Sequence, residues 1–159
     1  MKRLLAGAMA MTVLAATSAF QRRQAPRPDL TAKVHQYWTA WQSGPDAAAG
    51  LYAKDSDLVF YDLEPLKYTG WEQYKAGVVP NILSKFQSVR FTVNDDVRTT
   101  ARGDVAWTTA TVNADGVLKA SGPIEVVIRH TAIWEKRGGD WLIVHEHVSV
   151  PSALPAGPR

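Results

Sequence analysis

The sequence predicts an α+β fold in which early helices cover a curved, mainly antiparallel sheet. Three observations lead there. Apolar residues recur at helical spacing mostly in the first half of the chain. They recur at strand spacing in the second half, where glycine-containing turns separate consecutive strands and imply a meander. Helices grouped early and strands grouped late in a chain of 159 residues, without a repeat, make one domain of two layers. A twisted sheet with too few strands to close must bury its concave face under the helices. The result is a cone with a cavity.

The elements follow in order. Asp29 precedes a helix over 30–43, whose Leu30, Val34, Trp38 and Trp41 share a face, and Gly44-Pro45 stops it. Asp46 can cap a short second helix through Tyr52. Leu58 to Tyr61 is a short strand, broken by Asp62-Leu63-Glu64-Pro65. Gly70 to Tyr74 opens a third helix that runs toward Val79-Pro80. Strands are then expected over 89–100, 105–113, 122–135 and 141–150. The expected turns are Ala101-Arg102-Gly103-Asp104, Ala114-Asp115-Gly116 and Arg137-Gly138-Gly139-Asp140.

Composition excludes several function classes. With no Cys, there can be no disulfide, thiolate zinc site, iron–sulfur cluster, Cys nucleophile or lipoprotein anchor. The 18 Lys+Arg and 15 Asp+Glu are spread along the chain, so no basic track for nucleic acid is expected. The first 19 residues read as a secretory signal: Lys2 and Arg3, an apolar run from Leu4 to Ala16, then Thr17-Ser18-Ala19 with cleavage after Ala19. The other reading of this segment is a buried helix or membrane anchor. The signal reading implies a secreted or periplasmic protein, free of the membrane once cleaved. Residues 20–28 form a solvated tail, 29–151 the domain, and 152–159 a C-terminal tail.

The last two strands carry the strongest functional signal. Side chains alternate across a strand. Leu142, Val144, Glu146, Val148 and Val150 share one face, apolar except for Glu146. Ile124, Val126, Ile128, His130, Ala132 and Trp134 share another, apolar except for His130. Both faces should point inward. With the hairpin centred on Gly138-Gly139, one register sets His130 directly across from Glu146, with Cβ atoms within about 5.5 Å. Such a pair can abstract a proton beside a carbonyl and return it. It can equally be a structural ion pair.

Other candidates are weighed the same way. His145 and His147 share the opposite face with Arg129, a poor neighbour for a metal, so packing at a sheet face or subunit interface is expected there and no metal site. Asp62, matching Phe60 in parity, is either a second acid at the cavity mouth or a turn-forming residue. Trp38, Phe60 and Trp107 are expected to shape the pocket wall.

Residues 131–151, with Thr131-Ala132-Ile133-Trp134, Gly139-Asp140-Trp141 and His145-Glu146-His147-Val148-Ser149, resemble the closing hairpin of the SnoaL-like group. That group belongs to the superfamily of nuclear transport factor 2 and ketosteroid isomerase. The same run is similar to the association domain of calcium/calmodulin-dependent protein kinase II. Tyr61 to Trp71 and Gly103 to Trp107 extend the resemblance over residues 30–151. It implies a cone-shaped NTF2-like barrel, usually dimeric or larger, with the even-numbered face in the pocket. The positions matching the kinase domain's pocket arginines are Val112, Ala132 and Val148, all apolar, so an arginine-held anion is not expected.

Three readings of function stay open. One is a domain binding a small, largely apolar ligand. The second is an isomerase or lyase using Glu146, His130 and Asp62 for proton transfer without a cofactor. The third is a non-catalytic homo-oligomeric assembly domain using Arg129, His145 and His147.

Overall fold

The computed structural model describes residues 28–152. The expected signal over 1–19, the tail before residue 28 and the residues after 152 lie outside the described residues. Helix α1 spans Thr31–Ser43 and buries Val34, Tyr37, Trp38 and Trp41. The Asp29 carboxylate accepts the Thr31 N–H at 2.9 Å, so the acid supports the first turn from just outside it. Gly44, at φ +105°, ends α1, and Pro45 opens α2 (Pro45–Ala48) from the first-turn position that proline favours. A 3₁₀ turn over Ala49–Leu51 then delivers Tyr52 against Ile143, with the Ala53 N–H bonded to the Ile143 carbonyl at 3.0 Å.

Strands β1 (Val59–Tyr61) and β2 (Tyr68–Thr69) form a small hairpin, and α3 follows over Gly70–Asn81. The long strands are β3 (Phe86–Val93), β4 (Arg98–Arg102), β5 (Val105–Leu118), β6 (Gly122–Arg137) and β7 (Asp140–Ser149). They make one sheet in the order β2-β1-β7-β6-β5-β3, with β4 on the other half of β5. All pairs are antiparallel except β1 with β7. The fold is α+β, a curved, unclosed sheet with helices on its concave side.

Three expectations are corrected. The single strand over 89–100 is two, β3 and β4. Between them Asp96 takes the Thr111 N–H at 2.9 Å and the Thr111 hydroxyl at 2.8 Å, which holds the break. The turn expected at Ala114-Asp115-Gly116 is strand, because β5 runs on to Leu118. A Cβ on Gly116 would lie 2.6 Å from the Ser88 carbonyl, so this glycine serves close strand approach rather than a turn.

The third correction concerns the hairpin register. Arg137 pairs with Asp140 across a two-residue turn, a register that would set His130 opposite His147. A bulge at Val144 adds one residue, and His130 pairs with Val148 while Glu146 pairs with Ala132. His130 and Glu146 are therefore diagonal rather than direct neighbours, typically about 7–8 Å apart. The bulge also flips parity, so Ile143 faces inward in place of Leu142 and Val144.

The core lies between α1 and the even-numbered face of β5 and β6. Trp134 is fully buried there, its indole N–H donating to the Thr108 hydroxyl at 3.0 Å. Burying an aromatic of this size contributes roughly 1.5–3 kcal/mol. Among the described residues, no helix is long and apolar enough to cross a membrane.

Candidate active site

Glu146 is the most deeply placed acid. Alternation along β7 points it inward, between Phe60 of β1 and Ala132 of β6, and it has no exposed surface. The Tyr52 hydroxyl donates to its Oε2 at 2.8 Å, and the Trp41 indole N–H donates to the Tyr52 oxygen at 3.1 Å. Oε1 has no hydrogen-bond partner among the described residues. Burial pushes the Glu146 acid up to about 8, with the nearby Asp62 charge adding to the rise and the hydroxyls of Tyr74, Tyr52 and Tyr37 opposing it. At neutral pH Glu146 is mainly the protonated acid.

Asp62 follows β1 and is partly buried. Its Oδ2 accepts the Tyr74 hydroxyl at 2.8 Å, and its Oδ1 accepts the Leu63 N–H at 2.7 Å. Burial raises its pKa against the pull of those two bonds. Tyr74 comes from α3, and its ring stacks on Phe60 at 5.2 Å. Tyr74 donates its one hydroxyl proton to Asp62, and Glu146 takes its hydrogen bond from Tyr52. Burial first, then the neighbouring acids, holds the tyrosine hydroxyls 37, 52 and 74 well above their usual range, so they remain O–H donors.

The cavity beside this cluster is an apolar slot. Its enclosed volume is about 60 Å³, and with the open mouth counted the space reaches about 550 Å³. Trp38 and Tyr37 of α1, Tyr74 and Val78 of α3, and Ile128 and Val148 of the sheet form much of its wall. Among the described residues, Asp62 is the one carboxylate that lines it.

The predicted site residues therefore divide. Asp62, Trp38 and Val148 line the slot, and Glu146 stands in the core, bonded to Tyr52. Phe60, Val112 and Ala132 are buried but belong to the core rather than to the lining. Trp107 is not pocket wall: it is 37% exposed on the outer face, because odd positions of β5 point outward, and Trp134 fills the inner place. His130 is not paired with Glu146. Its ring stacks on Tyr37 at 4.5 Å, meets Trp38 edge-on at 5.4 Å, and is pushed down to about 3 by burial. Arg129, His145 and His147 lie on the outer side: His145 Nδ1 is 2.7 Å from the Val59 carbonyl, Arg129 donates to the Val150 carbonyl at 3.1 Å, and Tyr61 meets both histidine rings edge-on. Among the described residues no three His, Asp or Glu side chains cluster as metal ligands.

Sequence reasoning missed the tyrosines. Tyr37 lies next to the expected apolar stripe of α1 and was legible as its edge. Tyr52 and Tyr74 carry no local mark, since their partners are brought in only by the fold.

A profile of the SnoaL-like domain family matches residues 31–153. The chain belongs to the SnoaL-like family. Solved structures agree on the fold. This SnoaL-like domain is similar to an NTF2-like superfamily protein from Salmonella enterica serovar Typhimurium, with TM-score 0.70, 19% identity, 80% of this chain and 92% of that one covered. It is also similar to a putative calcium/calmodulin-dependent protein kinase II association domain from Xanthomonas campestris (TM-score 0.64, 23% identity, 79% and 87% covered). A third similar structure is the hexachlorocyclohexane dehydrochlorinase LinA-type3 from Novosphingobium barchaimii (TM-score 0.64, 15% identity, 79% and 89% covered). At these identities the likeness shows the fold alone. No curated protein matches the chain significantly.

Proposed function

We propose that this SnoaL-like domain binds a small, largely apolar molecule in the cone and moves a proton on it with Asp62. One observation carries the reading: among the described residues a single carboxylate lines the apolar slot, held by the Tyr74 hydroxyl and raised by burial. A raised pKa brings a carboxylate closer to the range where it takes and returns a proton near neutral pH. The Asp62 carboxylate would take a proton from a carbon beside a carbonyl. It would then return it at another position, as an isomerase does, or keep it while a leaving group departs, as a lyase does. Glu146 acts as a positioning residue, holding Tyr52 and through it Trp41, which lines the slot. No cofactor enters this scheme.

The composition of residues 1–19 supports export, with the mature chain starting at Phe20. Exposed Tyr61, Trp107 and Val127 on the outer sheet face, with Arg129 and His147 among them, support a homo-oligomer formed through that face. N-terminal sequencing of the exported protein and light scattering check these two points; an uncleaved chain or a strict monomer would remove them.

The test of the chemistry is deuterium wash-in to cyclohexanone in D₂O, followed by NMR. The wild-type protein should exchange the protons beside the carbonyl above the buffer rate, and Asp62→Asn should not. No exchange by the wild type, with the ketone shown to bind, would leave a binding or assembly domain.

A further inference from the structure

The carboxyl cluster leaves one polar group of the interior unused. His130 is 1% exposed and stands on the inner face of β6, between Ala110 of β5 and Val148 of β7. Tyr37 and Trp38 pack on its ring. Those two side chains and Val148 all line the slot, as does Ile128, two residues before His130 on the same face. The imidazole thus lies directly behind the cavity wall. Neither of its ring nitrogens has a hydrogen-bond partner among the described residues, and neither has the Trp38 indole N–H beside it. Buried polar atoms left unpaired are a cost to the fold, and an apolar side chain would pack position 130 without it.

We propose that Trp38 and His130 form a polar subsite behind the slot wall that recognises a hydroxyl group on an otherwise apolar ring compound. This rests on the ligand-binding reading above and names its ligand class. Donor and acceptor counts select the hydroxyl. Desolvation keeps the imidazole neutral, with one N–H donor and one bare acceptor nitrogen. The indole adds a second donor. A hydroxyl oxygen accepts from the indole N–H while its own proton goes to the bare nitrogen. A carbonyl would satisfy the donors and leave that nitrogen unpaired. A carboxylate would bring a charge into a slot that no Lys or Arg lines among the described residues. Entry requires the Tyr37 or Trp38 ring to turn aside, and both sit on one turn of α1.

Calorimetric titration of the full chain with p-cresol and with p-xylene tests this, since the two probes differ by a hydroxyl in place of a methyl. The wild type should bind p-cresol about tenfold more tightly, the scale of preference that net hydrogen bonding of the hydroxyl gives. His130→Leu should reduce that preference to about twofold or less, leave p-xylene affinity unchanged, and melt no lower than the wild type. On the wild-type protein with ¹⁵N-labelled histidine, p-cresol should shift the His130 ring nitrogens and p-xylene should not. This second readout decides the matter even if the variant does not fold. Equal affinities in the wild type, a preference kept in His130→Leu, or silent His130 nitrogens would overturn the subsite while p-xylene binding left the cavity reading in place. Binding of neither probe would overturn both.

Discussion

Glu146 and His130 stand on neighbouring strands of the same inner face, and the chain surrounds them differently. At the Glu146 end, Tyr52 and Trp41 form a hydrogen-bonded relay and Tyr74 reaches across to Asp62. At the His130 end there are only rings, Tyr37 stacked and Trp38 edge-on. Desolvation acts on both and moves them in opposite directions, the acid to about 8 and the imidazole to about 3. Each is then mainly uncharged at pH 7. This interior tolerates titratable groups by neutralising them rather than by pairing charges, and among the described residues it bonds one oxygen of the acid while leaving both nitrogens of the imidazole open.

The largest expected effect breaks or sharpens that contrast at the level of chemistry. Asp62→Asn should cut deuterium wash-in roughly 10²–10⁴-fold with the fold intact by circular dichroism. An equal loss in His130→Leu at unchanged ketone binding would put the imidazole in the proton path and erase the distinction between the two ends.

Stability comes next. Tyr52→Phe removes the donor to Glu146 and the acceptor for Trp41, and should cost about 1–3 kcal/mol in urea unfolding. His130→Leu should cost less than this or nothing. The reverse order would mean that the imidazole, and not the tyrosine relay, is the bonded element of the core.

The pH profile separates the two groups by sign. The folded-state pKa of Glu146 lies above its ordinary 4.5, so the folded state holds more protons and stability falls as pH rises from about 4.5 to about 8. For His130 the folded value lies below 6.5, so the unfolded state holds more protons and stability falls as pH drops from 6.5 toward about 3. Melting curves should therefore show Glu146→Gln flattening the alkaline limb and His130→Leu the acid limb. The smallest effect belongs to the outer face: His147→Glu should weaken the oligomer about tenfold by dilution light scattering and leave wash-in per chain unchanged.

Much of this arrangement was legible in the residues. Period-2 alternation places Glu146 and His130 inside, and the helix face of Val34, Trp38 and Trp41 is buried as its spacing requires. The bulge at Val144 was not legible, because one extra residue in a strand leaves no glycine or proline to mark it, and it alone decides what His130 faces. Gly116 was misread because a glycine admitting a close strand and one making a turn look the same in sequence. Trp107, expected in the pocket wall on residue type alone, has the outward parity of Val105 and Thr109. Tyr52 reaches Glu146 across 94 positions, a contact that no local pattern encodes.

The reading stands on Glu146 sealed in the core and Asp62 half-buried at the apolar slot, both shifted upward by burial. A ¹³C carboxyl NMR titration tests it most directly. The account predicts one carboxyl titrating near 8 that vanishes in Glu146→Gln, and a second raised above the ordinary aspartate range that vanishes in Asp62→Asn. Side-chain carboxyls that all titrate at roughly 3.5–4.5, as in water, would contradict it.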